Sequence, residues 1–423
     1  MNPGELLGLV LICLFTAGCG LVTAEEAATP TATSTIPVTT PTPTQAQPTA
    51  TIALPTATLV PTASSLGPSQ AITITAITIL DVNLGWGIGD TGEGVDHVLQ
   101  TTDGGRTWRD LSPAEALSEG TPLTQALGYF QSPERAWVTY YGPEVVTSEA
   151  SPVVWHTMDG GRSWQASQPL DRSGLEEIFD PSHLQFIDED TGWLLVHVGV
   201  GMSHDYVAYY KSTDGGQTFK RILDPYNDGG IQACYKNDML FTDTQHGWLT
   251  GTCNGVAAGV LLFQTADGGL TWQTVTLPAP ADSPDLFTRF DVACGSNWPV
   301  FLDKQTGYIA VACDLYDQEP RTTVDYLYFT QDGGETWKST SYPGGELRFF
   351  DAQTGLALGK ETYKTKDAGA IWTKISVVSW EGSFDFPDED HAWAVARSED
   401  QVALVFSEDG GQYWSILEPV LVP

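Results

Sequence analysis

The stretch TTDGGRTW, Thr101–Trp108, decides the fold because it comes back. Its aspartate, Asp103, is followed by Asp159 in TMDGGRSW, Asp214 in STDGGQTF, Asp267 in TADGGLTW, Asp332 in TQDGGETW, Asp367 in TKDAGAIW and Asp409 in SEDGGQYW. Successive copies lie 35 to 65 residues apart, a period that signals a propeller, solenoid or array. Ahead of each copy stands a second signal, apolar-x-Asp-x-x-x-Gly-aromatic, as in FIDEDTGW (Phe186–Trp193) and FTDTQHGW (Phe241–Trp248). The weakest version is FQSPERAW (Phe130–Trp137), with Ser132 where the others carry Asp.

Each pair of signals reads as four short strands. Strand A ends at the apolar-x-Asp step, strand B starts at Gly-aromatic, strand C ends at Thr-x-Asp, and strand D starts at Thr-Trp. Gly and Asp turns between alternating apolar runs are hairpin signals. Seven such units predict an all-β chain, a seven-bladed β-propeller of four-stranded antiparallel blades over residues 69–423. SQAITIT (Ser69–Thr75) either adds a strand to the last blade or begins strand A.

The repeated carboxylates invite a catalytic reading, and turn chemistry explains them better. An Asp side chain accepts hydrogen bonds from N–H groups of its own turn, and the glycines permit positive φ. Of 14 tryptophans, eleven fall at the two repeated aromatic positions, where each buries a large apolar face between blades. Pairs such as Asp188/Asp190 and Asp388/Asp390 occupy shared turn positions. No zinc spacing, Gly-x-Ser-x-Gly elbow or P-loop occurs, and neither cofactor nor metal is implied.

The signature resembles the Asp-box, or BNR repeat, of sialidases and related propellers. The two signals together resemble the photosystem II stability and assembly factor family over nearly all of residues 71–418. That resemblance implies a non-enzymatic propeller that binds partner proteins. Known members dock through an arginine-rich patch, whereas the ten arginines here are scattered. The alternative is an Asp-box glycoside hydrolase, glucan-cleaving or sialidase-like. A glucan-cleaving enzyme needs two facing carboxylates, which Asp205, Asp224, Asp228 and Asp317 could supply.

Charge narrows the partners. With 53 acidic against 19 basic residues the formal charge is −34, so nucleic acid is not expected. A protein or carbohydrate partner remains, on a monomeric chain. Loop length varies at the B–C and D–A connections, chiefly in repeats 1 to 5, and binding is expected at that end. Candidate residues there are Tyr141, His204, Tyr206, Asp224, Tyr226, Asn227, Asp228, Trp298, Tyr316 and Asp317. DPYNDGG (Asp224–Gly230) reads either as a cation- or sugar-binding loop or as a plain turn.

The N-terminal run LLGLVLICLFTAGC is too short to span a bilayer. Its Thr16-Ala17-Gly18-Cys19 resembles a bacterial lipobox, which implies a signal peptide over 1–18, a lipidated Cys19, and export to the extracytoplasmic side with membrane contact by the lipid alone. Residues 19–68, rich in Thr and Pro, read as a disordered tether. Four further cysteines suggest two disulfides in an exported protein. Cys234–Cys253 and Cys294–Cys313 each bracket one A–B hairpin, and antiparallel register sets their members opposite each other.

Overall fold

The computed structural model describes residues 66–117, 124–142, 152–175, 178–201, 204–224, 231, 234–252, 259–297, 299–399 and 401–423. Cys19 and the rest of the signal and tether up to residue 65 lie outside them, as do Tyr226, Asn227, Asp228, Trp298 and Cys253. The described residues form one compact unit.

The first repeat sets the pattern. Strand A, Thr73–Ile79, pairs antiparallel with strand B, Gly85–Asp90. Strand C, His97–Thr101, and strand D, Thr107–Asp110, follow in the same up-and-down order. Four sheets are plain A–B–C–D sets, and a nine-stranded sheet contains the fourth and fifth repeats, joined at Thr252 and Gly295. In the fifth repeat strand A is broken into Val292–Ser296 and Val300–Phe301. Among the described residues the one helical element is a short 3-10 turn at Leu286–Thr288. Multiple four-stranded antiparallel sheets in sequence make this a β-propeller-type fold.

The first sheet has a fifth strand. Val420–Val422, at the chain's end, lies parallel to strand D of the first repeat. Ser69 donates to the Leu421 carbonyl at 2.8 Å, and Leu421 donates to that of Gln70 at 3.0 Å. The segment read as SQAITIT therefore does two things: its first residues pair with the terminal strand, and strand A begins at Thr73.

The aromatic pattern has a steric cause. In the third repeat the Phe186 ring lies over Gly192, where a Cβ would come within 2.6 Å of it. The other side of that ring stacks on Trp137 of the preceding repeat at 3.9 Å. The Trp137 indole then donates to the Gly215 carbonyl in the next repeat's Asp turn at 2.9 Å. Trp193 repeats the bond to Gly268. Trp393, in the last repeat, makes it to Gly104 in the first, 289 residues away, at 2.9 Å. The same interlock that joins neighbours in sequence thus joins the two ends of the repeat array. Trp108, Trp393, Leu404 and Leu421 share one buried cluster there.

Candidate functional site

The turn end is built on one plan from copy to copy. In the first repeat Asp103 Oδ1 accepts from Thr107 N at 2.8 Å and Thr101 Oγ1 at 3.0 Å, and Oδ2 accepts from Thr107 Oγ1 at 2.7 Å. The same bonds surround Asp159, Asp214, Asp267 and Asp332. Asp367 and Asp409 keep the backbone bond, from Ile371 and Tyr413. Gly104 and Gly105 take φ of 71° and 87°, and Gly104 N donates to Asn83 O in the adjacent A–B turn. That second turn is tied by Asp81 Oδ1, which accepts from Asn83 and Leu84. In the second repeat Ser132 Oγ accepts the corresponding bonds from Glu134 and Arg135, so serine serves in the aspartate's place.

These bonds set the charge state. Burial pushes Asp243 up, yet the N–H groups of His246 and Gln245 outweigh it and hold the group at about 2. Hydrogen bonds from Thr336, Oγ1 and N, hold Asp332 at about 2. A carboxylate held ionised by donors on its own turn has no proton to give at neutral pH. The apparent dyad members Asp188 and Asp388 each accept from the backbone of residues 190–191 and 390–391.

The loop end does not gather the candidate residues into one site. Tyr316 lies under the Arg321 guanidinium at 4.2 Å, and Asp317 accepts from Arg289 at 2.8 Å. His204 stacks beside Tyr206 at 6.1 Å, and Tyr206 packs on a core cluster. Asp224 lies 3.6 Å from Arg221. Tyr141 is half-buried, and burial, with Asp180 and Asp96 near it, raises its hydroxyl. Asp205 corrects the reading of it as a loop carboxylate: it is 2% exposed and fully engaged. Its Oδ1 meets His197 Nδ1 at 2.8 Å and its Oδ2 accepts from Lys236 N at 2.8 Å. The ammonium of Lys236 bonds the Asp205 and Cys234 carbonyls, and burial pulls that lysine down to about 8. A second buried pair, His97 with Asp110 at 3.1 Å, sits at the loop end of the first repeat.

Disulfide chemistry follows the register. Cys294 and Cys313 are direct cross-strand partners, bonded, with Cα atoms 4.1 Å apart. Cys234 is disulfide-bonded as well.

Two hollows were not legible in the motifs. Strand A residues of the second to sixth repeats, among them Tyr129, His183, Met239, Leu302 and Arg348, surround a cavity of about 550 Å³. At the turn end a cleft of about 570 Å³ lies between the fourth and fifth repeats. On strand A of the sixth repeat, two residues before Arg348, burial pushes Glu346 up to about 7, with Asp385 adding to the shift. Asp385 accepts from Ile79 N at 2.6 Å. Among the described residues no three His, Cys, Asp or Glu side chains group as a metal site.

With this geometry the chain falls among β-propeller proteins that spend their repeated aspartates on turns. No protein-family model matches it. It is 27% identical over 213 residues, 42% of this chain and 61% of the relative, to the photosystem II assembly lipoprotein Ycf48 of Synechococcus sp. (strain CC9902). It is 25% identical over 268 residues, 57% of this chain and 28% of the relative, to the xyloglucanase Xgh74A of Acetivibrio thermocellus. The chain spans less than two thirds of the length of the curated relatives it matches. Among solved structures, YCF48 from Cyanidioschyzon merolae superposes with a TM-score of 0.50 at 16% identity, over 81% of this chain and 97% of that one.

Proposed function

We propose that the protein is an exported, lipid-tethered, seven-bladed Asp-box propeller that serves as a non-catalytic docking platform for a protein partner. The seven four-stranded sets are its blades, the Trp393–Gly104 interlock closes the ring, and residues 19–68 hold it away from a membrane through Cys19. The observation that carries the non-catalytic reading is the internal use of the repeated turn carboxylates. Likeness to a protein named for photosystem II assembly supports a partner in an assembly role; the photosynthetic setting itself is not part of the proposal. Docking is assigned to the loop end of the second to fifth blades, with a carbohydrate as the other ligand class.

Co-purification from detergent-solubilised envelope tests this. One stoichiometric protein partner is expected, retained when the turn aspartates are left intact and lost when loop-end residues such as Tyr316 and Asp317 are replaced. Recovery of no partner, together with turnover of β-glucan, contradicts it.

One observation favours a second reading, a glycoside hydrolase. Glu346, poised at about 7 beside Asp385, has the protonation behaviour of a general acid. A relative named as a xyloglucanase points the same way. Glu346→Gln should then abolish glucan hydrolysis; with no hydrolysis in the parent protein, this reading fails.

A further inference from the structure

At three seams the residue three places before the turn aspartate reaches across to the next repeat, and its chemistry changes from seam to seam. Gln100 reaches across to the Pro133 carbonyl at 2.8 Å. Lys211 reaches the Thr244 carbonyl at 3.2 Å, its ammonium 4.8 Å over the Trp193 ring. Lys364 reaches the Glu389 carboxylate at 3.1 Å. Pro133, Thr244 and Glu389 occupy one position, directly after the first acceptor of the A–B turn. The side chain therefore works as a plug in a recurring socket.

In the fourth repeat the plug position is Gln264, and Lys304 holds the socket position. Among the described residues Gln264 makes no bond across the seam, and the cleft of about 570 Å³ lies there. The cleft's carboxylates are Asp243, Asp267, Asp332 and Glu335, against one lysine, Lys304, with His246 also on the lining. Lys304 stands at the mouth, largely exposed, 3.7 Å from Asp243. His246 lies 3.0 Å from the same carboxylate.

We propose that this cleft accepts a lysine side chain of the partner polypeptide, in the place that Lys211 fills from within the chain one seam away. The proposal keeps the partner of the docking-platform reading and adds, to the loop-end face assigned above, a second contact at the opposite, turn end. The internal ammonium shows what the socket takes: a cation donating to a turn carbonyl, with a turn aspartate close by; Trp248, the indole of the open seam, is itself buried. Asp267 plays that last part for Lys211, drawing its pKa back up against the effect of burial. Asp332 is its counterpart in the open seam. An acidic partner segment meets four carboxylates there and is disfavoured.

The test uses the full chain and tetralysine as probe, with binding followed by calorimetry. Gln264→Lys should fill the socket from within and weaken tetralysine binding about tenfold or more. Thr373→Lys, which adds the same charge on an exposed outer strand of the sixth repeat, should leave it within about twofold. Lys211→Ala should empty the neighbouring socket and add a second, similar site. Equal binding by the parent and Gln264→Lys proteins, or no binding by the parent, overturns the proposal. Neither result touches the co-purification outcome. Tetralysine binding without any captured partner counts against the platform reading and leaves the cleft in place.

Discussion

The two ends of the propeller use the same residue types to opposite effect. At the turn end, aspartates sit where backbone N–H groups converge, and Asp243 and Asp332 are held at about 2. Toward the loop end, carboxyls and an amine sit in packed surroundings with fewer donors. There burial lifts Glu346 to about 7, raises Asp325, and lowers Lys236 to about 8. What differs is the supply of directed hydrogen bonds, which decides whether a carboxyl stays ionised when water is removed. The repeated turn aspartates are thereby spent on holding the blades, whereas Glu346 and Lys236 keep charges that respond to conditions.

The comparison can be broken most forcefully at the seam between the last and first repeats. Trp393 is buried, and its indole donates to Gly104, so Trp393→Ala should cost about 4 kcal/mol in a urea titration. A loss under about 1 kcal/mol would mean that the first and last repeats are not held by the interlock that joins the others. At the loop end the matching brace is covalent. Replacing Cys294 and Cys313 by serine opens a loop with a sequence separation of 19 and should cost about 3 kcal/mol in the chain-entropy description.

A third experiment sharpens the electrostatic contrast. Glu346 rises from its ordinary 4.5 to about 7, so the folded state binds its proton more tightly than the unfolded state. Its contribution is neutral below about 4.5 and becomes unfavourable as pH rises toward 7. Glu346→Gln should therefore match the parent near pH 4 and be more stable by about 2 to 3 kcal/mol at pH 8. Equal stability at both pH values would remove the idea that burial dominates there. The smallest effect belongs to the turn end. Ala368 holds φ of 58° where the other copies of the turn carry glycine. Ala368→Gly should relieve that strain and raise stability by about 1 kcal/mol, read as a higher melting temperature.

The turn end was legible in the sequence because its chemistry is local. Asp103 bonds to residues two and four places away, so its role is visible in TTDGGRTW itself. Even the apparent defect at Ser132 keeps the same acceptor geometry. The loop end was not legible because its contacts are made by register and by residues far apart in sequence. Asp317 is taken by Arg289, 28 residues away, and Asp205 closes on His197 only across a strand pair that carries a bulge. The inner cavity was missed for a related reason: Tyr129, Met239 and Leu302 look like ordinary alternating strand residues until five repeats bring them around one space. The seam cleft carried one readable signal, the changing residue three places before each turn aspartate.

The claim on which the rest depends is that the turn carboxylates are consumed by their own turns. Carbon-13 NMR titration of the aspartate carboxyl groups reads it residue by residue. Asp243 and Asp332 should titrate at about 2 and stay ionised through neutral pH. Titration of either at or above the ordinary 3.8 would mean that its turn does not hold the carboxylate in its ionised form, and would contradict the account.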